Sequence, residues 1–154
     1  MRRRKARGVS MALYAAFIGL VGVPLLAATV DVTRVWVKKA ELANAVESAC
    51  SAYANTPDKH AFKQTGEFVL GGDARAEGHR FFGYNMPEGG ELTEMTLVPS
   101  NQDDYTYIAH CSGHASVRPM VFAGVASFEL VKTVTVKVKF SSPDRWLGSG
   151  GEGG

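Results

Sequence analysis

Between Val9 and Val30 the chain has no charged residue, and that run, VSMALYAAFIGLVGVPLLAATV, constrains the fold more than any other feature. As a helix it spans roughly 33 Å, against a bilayer hydrocarbon core of about 30 Å. Its three hydroxyl residues are Ser10, Tyr14 and Thr29, placed towards the ends. Gly19, Gly22 and Pro24 disfavour a helix in water, yet such residues are common in membrane helices. Pro24 is expected to kink the helix, because it offers no N–H and crowds the preceding turn. The whole-chain averages hide this segment: net charge is +2, with 45% hydrophobic and 21% charged residues. The charge is unevenly placed, with Arg2, Arg3, Arg4, Lys5 and Arg7 all before the run. A basic cluster followed by an uncharged run signals targeting or anchoring rather than nucleic-acid binding. The cluster favours a cytoplasmic N-terminus, although Arg34, Lys38 and Lys39 beyond the run weaken that bias.

Two outcomes are consistent with such a run. In one it remains as a single-pass anchor. In the other it is a secretory signal cut after Ala28, where Leu26-Ala27-Ala28 forms a passable motif, and a soluble periplasmic binding or enzymatic domain is released. The run exceeds the usual signal core of roughly 7–15 residues, so the anchor is preferred. The segment beyond the run agrees with an anchor. Asp31 to Ala54 lacks Gly and Pro, and Val32, Val35, Trp36, Leu42, Ala43, Val46, Ala49, Cys50 and Tyr53 recur at helical spacing. Asn55-Thr56-Pro57 then stops the helix. One helix is therefore expected to run from the membrane into the aqueous phase, with an apolar stripe in need of cover.

Past Pro57 the period changes from 3.6 to 2. Candidate strands are Glu67–Leu70, Arg80–Met86, Leu92–Val98, Tyr105–Cys111, Val117–Phe122 and Val134–Phe140. In the last, Val134, Val136, Val138 and Phe140 face one way, and Thr135, Lys137 and Lys139 the other. Turns are expected at Gly71-Gly72-Asp73, Pro87–Gly90 and Pro99-Ser100-Asn101. The predicted class is α+β: a long transmembrane helix continuing outward and packed on a small antiparallel sheet. The layout is a basic leader (1–8), a membrane helix (9–30), an amphipathic extension (31–55), a sheet domain (56–147) and a flexible Gly-rich tail (148–154).

Both cysteines, Cys50 and Cys111, lie beyond the apolar run. Outside the cytoplasm they can pair, closing a loop of roughly 60 residues worth on the order of 4 kcal/mol. No catalytic signature stands out: there is no G-x-S-x-G elbow, no H-E-x-x-H and no phosphate-cradling loop. The string His110-Cys111-Ser112-Gly113-His114 admits a thiol–imidazole pair or a metal site, but reads better as a disulfide cysteine in a turn flanked by surface histidines. Asp103, Asp104, Glu88, Glu91 and Glu94 lack calcium-loop spacing and read as a solvated face. No metal, cofactor or nucleic acid is expected, and the chain reads as non-enzymatic.

Arg7-Gly8-Val9-Ser10-Met11, the step Val30-Asp31-Val32-Thr33-Arg34 and the helix Leu42-Ala43-Asn44-Ala45-Val46-Glu47-Ser48-Ala49 occur in an order that resembles the TadE/TadG-like proteins of the tight-adherence (Flp) pilus machinery. Val117-x-Pro119-x-x-Phe122 before the strand at Val134 is similar to that family's closing segment. The resemblance implies a pilin-like fold and an accessory role, as a minor pilin or pseudopilin, in a pilus or secretion assembly. It places the chain in a bacterial inner membrane, with a cytoplasmic N-terminus and a periplasmic domain, or in a surface pilus. Implied partners are pilin or other machinery helices, the bilayer and a prepilin peptidase cutting between Gly8 and Val9. Implied helix contacts are Leu13, Tyr14, Phe17, Pro24, Asp31 and Arg34. Leu13 occupies the position where filament pilins carry a glutamate, and Pro24 lies deeper than is usual in the family. Ala12, Ala15, Ala16 and Gly19 form a small-residue face on the same helix.

Overall fold

A helix long and apolar enough to cross a membrane runs from Ser10 to Ala54, and none of its most apolar window is buried by the protein. The computed structural model describes residues 3–65, 68–86, 88–100, 105–120 and 127–139. Helix α1 covers Arg3–Phe17, a π turn covers Ile18–Gly22, and α2 covers Val23–Ala54. Pro24 does not end the helix. The change of hydrogen bonding falls on the turn before it, where the Val23 N–H donates to the Ile18 carbonyl across five residues. A π turn of this kind takes up one extra residue in an otherwise continuous helix. The hydroxyls of Thr29 and Thr33 donate to the Leu25 and Thr29 carbonyls at 2.9 and 2.8 Å, so neither is left unsatisfied on the helix surface. Asn55-Thr56-Pro57 ends α2 after Ala54, as expected.

Helix α3 (Lys59–Thr65) and helix α4 (Ala74–Asn85) precede strands β1 (Gly90–Pro99), β2 (Thr106–Val117) and β3 (Phe128–Lys139). The strands form one sheet in the order β1-β2-β3. β1 and β2 are antiparallel, pairing Met95 with Cys111 and Leu97 with Ala109. A shift between Leu92 and Glu94 marks a bulge, where the Thr93 hydroxyl donates to the Ser112 carbonyl at 2.9 Å. Side-chain bonds His110–Thr135 and Ser112–Thr133 advance in opposite directions on β2 and β3, the signature of an antiparallel neighbour.

The core gathers Leu42, Val46, Ala49, Cys50 and Tyr53 of α2, Phe82 of α4, Leu92 and Met95 of β1, and Ala109, Cys111 and Ala115 of β2. Val134, Val136 and Val138 of β3 pack against it, as predicted, while Phe140 lies outside the described residues; Leu130 joins them, because β3 begins at Phe128, six residues before the expected start. Burial against this core begins at Leu42. Upstream, Val32 and Trp36 of the predicted stripe are exposed.

Three strand expectations are corrected. Arg80–Met86 is helical through Asn85, because Ala74, Gly78 and Phe82 form a buried stripe at four-residue spacing. Val117–Phe122 is not a separate strand: Val117 closes β2, Arg118–Met120 has no strand pairing, and Val121 and Phe122 lie outside the described residues. Of Glu67–Leu70, Glu67 lies outside them too, and Leu70 makes only an isolated bridge with Pro57. The Gly-rich tail, Asp103 and Asp104 also fall outside.

Candidate functional site

The chain divides into two compact units, residues 1–38 with 117–128, and residues 39–116 with 129–154. In the first, Leu13, Tyr14 and Phe17 are 64–69% exposed, and Pro24 and Arg34 are exposed as well. Leu13 and Phe17 stand one turn apart on α1 and so share a face. Gly19 opens onto empty space. A continuous helical surface of large apolar side chains with nothing packed on it matches lipid or other apolar helices rather than water. Gly8 and Val9 lie within the helical backbone of α1.

Asp31 differs from the other predicted contact residues. It is 9% exposed, and its carboxylate accepts the Met120 backbone N–H at 2.9 Å. This link between the helix and a segment 89 residues later could not be read from spacing. The only sequence hint is that Asp31 is the first charge after the apolar run.

In the second unit the structure joins Cys50 of α2 to Cys111 of β2 in a disulfide, with Cα atoms 5.6 Å apart and both residues fully buried. Cys111 is mid-strand, not in a turn as the sequence suggested. Strand alternation places His110 and His114 on the face opposite Cys111. There His110 Nδ1 is 3.2 Å from Thr135 Oγ1, Ser112 Oγ is 3.0 Å from Thr133 Oγ1, and His114 Nε2 is 3.8 Å from Glu91 Oε2. The sulfur and the imidazoles therefore do not meet, which overturns the thiol–imidazole alternative.

A shallow groove between α2 and α4 is lined by Glu47, Ser51, Asn55, Asp73, Glu77 and Arg80 among others. Its charges are partly spent locally, since Arg80 pairs with Glu77 at 2.9 Å within α4. Among the described residues no three His, Cys, Asp or Glu side chains converge as metal ligands would. No match was found among curated proteins or solved structures. The first third of the chain does match: residues 8–56, which hold the exposed apolar helix and the sheet-packed end of α2, fit the putative Flp pilus-assembly TadE/G-like family model.

Proposed function

We propose that this protein is a non-enzymatic accessory component of a Tad/Flp-type pilus or related secretion assembly, minor-pilin-like or pseudopilin-like in build. The observation that carries the reading is the uninterrupted helix Ser10–Ala54, which coincides with the TadE/G-like match over 8–56. One part of that helix is apolar and largely exposed, while the part from Leu42 onward contributes to the core of a small sheet domain. A single element thus ties a folded head to a surface fit for lipid or for the helices of other subunits. The basic cluster before the run supports a cytoplasmic N-terminus in a bacterial inner membrane and a periplasmic head. Leu13 favours an accessory role over that of bulk filament subunit. A glutamate at that position would cost energy in an apolar bundle unless paired, and leucine makes no such demand.

Intact masses of the native protein from membranes and from sheared surface filaments test this. A mass matching cleavage between Gly8 and Val9 in the sheared fraction supports a pseudopilin that enters the filament. An uncut mass confined to membranes supports a permanent anchor acting from below. A soluble form beginning at Thr29, with no envelope association, overturns the proposal in favour of a released periplasmic domain.

A further inference from the structure

Asp31 is the first charged residue after the uncharged run and so marks the depth at which the helix leaves the hydrocarbon. Its carboxylate accepts the Met120 N–H at 2.9 Å, which fixes the backbone at Met120 to the helix at that same depth. Met120 is nevertheless 70% exposed, and Phe128, at the far end of the same segment, is 49% exposed. From Pro119 to Phe128 the sequence contains no charged residue. Residues 117–128, which join the end of β2 to the start of β3, group in one compact unit with the helical residues 1–38. A lone exposed methionine on a soluble surface calls for no explanation. One tied to the helix at the first charge after an apolar run, within an uncharged segment, is a different case.

We infer that the chain at Met120 makes a second membrane contact, which the Asp31 carboxylate holds in the interfacial layer of the bilayer, with Met120 directed to the acyl chains. The inference rests on the anchor reading above. The occupant is lipid rather than another protein, because the contact continues the surface that the apolar run already presents. The flanking charges suit it. Arg34 lies one turn beyond Asp31 on the aqueous side, and Arg118 lies two residues before Met120; both are exposed, as headgroup phosphates require. The covered carboxylate is used as a backbone acceptor and not left as a bare charge at the interface.

Depth-dependent fluorescence quenching tests this on the full chain in vesicles of phosphatidylcholine and phosphatidylglycerol. Three single variants, Met120→Cys, Leu20→Cys and Asn44→Cys, are labelled with nitrobenzoxadiazole without reductant, so that the Cys50–Cys111 bridge stays closed. Lipids carrying a nitroxide either near the headgroup or near the end of the acyl chain serve as quenchers, the first set reporting the interface and the second the bilayer centre where Leu20 is expected. Leu20 is the membrane reference, and Asn44, exposed on α2, is the aqueous one. The expected result is blue-shifted, quenched emission at position 120, with Asn44 unquenched. Adding Asp31→Ala should return position 120 to the Asn44 value while leaving Leu20 unchanged, and Asp31→Asn, which keeps an acceptor oxygen, should preserve the quenching. An unquenched position 120 beside a quenched Leu20 overturns the inference and leaves the anchor standing. Blue-shifted but unquenched emission at 120 also overturns it, by assigning a protein partner. If Leu20 itself is unquenched, the anchor reading fails first.

Discussion

Single side chains and single missing side chains set the tolerances of this molecule. Gly113 sits mid-strand in β2, where a Cβ would lie 2.8 Å from Val46 Cγ2, 3.2 Å from the Glu91 carbonyl and 3.3 Å from Phe82 Cε2. Two of those neighbours are core side chains and one is backbone, so no flexible tip can simply swing away. Gly113→Ala should destabilise the sheet domain by about 1–3 kcal/mol through overpacking, measurable by denaturant unfolding. Unchanged stability would mean that α2 and β2 pack less closely than the structure has them. Leu42 presents the opposite case. It is 1% exposed, and Leu42→Ala should cost about 2–5 kcal/mol by the same measurement. A third residue-scale effect depends on pH. Asp58 caps α3, its carboxylate accepting the N–H of Ala61 at 3.0 Å and of His60 at 2.9 Å. Those donors, Ala61 foremost, hold its pKa below the ordinary 3.8, because they favour the ionised form. A carboxylate whose pKa is lowered on folding stabilises the fold above its unfolded value, and that help is lost as pH falls through the folded value. The His60 and Ala61 amide shifts should therefore titrate with a midpoint below 3.8. Asp58→Asn should abolish the titration yet keep the cap.

At the scale of elements, the sequence disclosed what large apolar residues mark and concealed what small ones mark. The long apolar helix, the stop at Asn55-Thr56-Pro57 and the alternation of β3 were legible because Leu, Val and Phe repeat there without ambiguity. Helix α4 was not, since its inward stripe begins with Ala74 and Gly78, which carry almost no hydrophobic signal, and its aromatic end Arg80-Phe81-Phe82 imitates a strand. The second half of β2 was hidden for the same reason. Ser112-Gly113-His114-Ala115-Ser116 reads as a turn, whereas Gly113 and Ala115 are small because they face tightly packed core. Of the candidate site, the exposed face of α1 was legible and the Asp31–Met120 link was not, since no local pattern encodes a contact across 89 residues. The π turn carries a prediction of its own. By absorbing one extra residue before Pro24, it rotates the face of α1 by roughly 100° relative to α2. Pro24→Ala restores an N–H able to bond the Leu20 carbonyl, so the turn should relax to α geometry and that rotation should vanish. Amide spectra in micelles would report it as the Val23 N–H changing acceptor from Ile18 to Gly19. A bond to Ile18 that persists would show that Gly19 and Gly22, not Pro24, set the π turn.

The chain divides into two compact units, and on the anchor reading proposed above each meets a different solvent. A helix over 10–30 set in lipid would be kept by backbone hydrogen bonds that lipid does not compete for, and would need no tertiary core. The sheet domain folds in water with a small core, and small domains gain most from a covalent tie. Its tie joins the end of α2 to the middle of β2 across 61 residues of chain. In the chain-entropy account, closing such a loop removes freedom from the unfolded state worth on the order of 4 kcal/mol, a large share of a typical domain's stability. Opening the bridge, by reductant or by the paired change Cys50→Ala with Cys111→Ala, should therefore weaken one unit and spare the other. Amide exchange on the full chain in detergent separates them. Protection should fall along β2 and along α2 beyond Leu42, while residues 10–30 exchange as slowly as before. An equal loss along the anchor would show that the two units unfold as one. No loss in either would show that packing of Leu42, Val46 and Phe82 alone holds the sheet domain, and that the disulfide serves something other than stability.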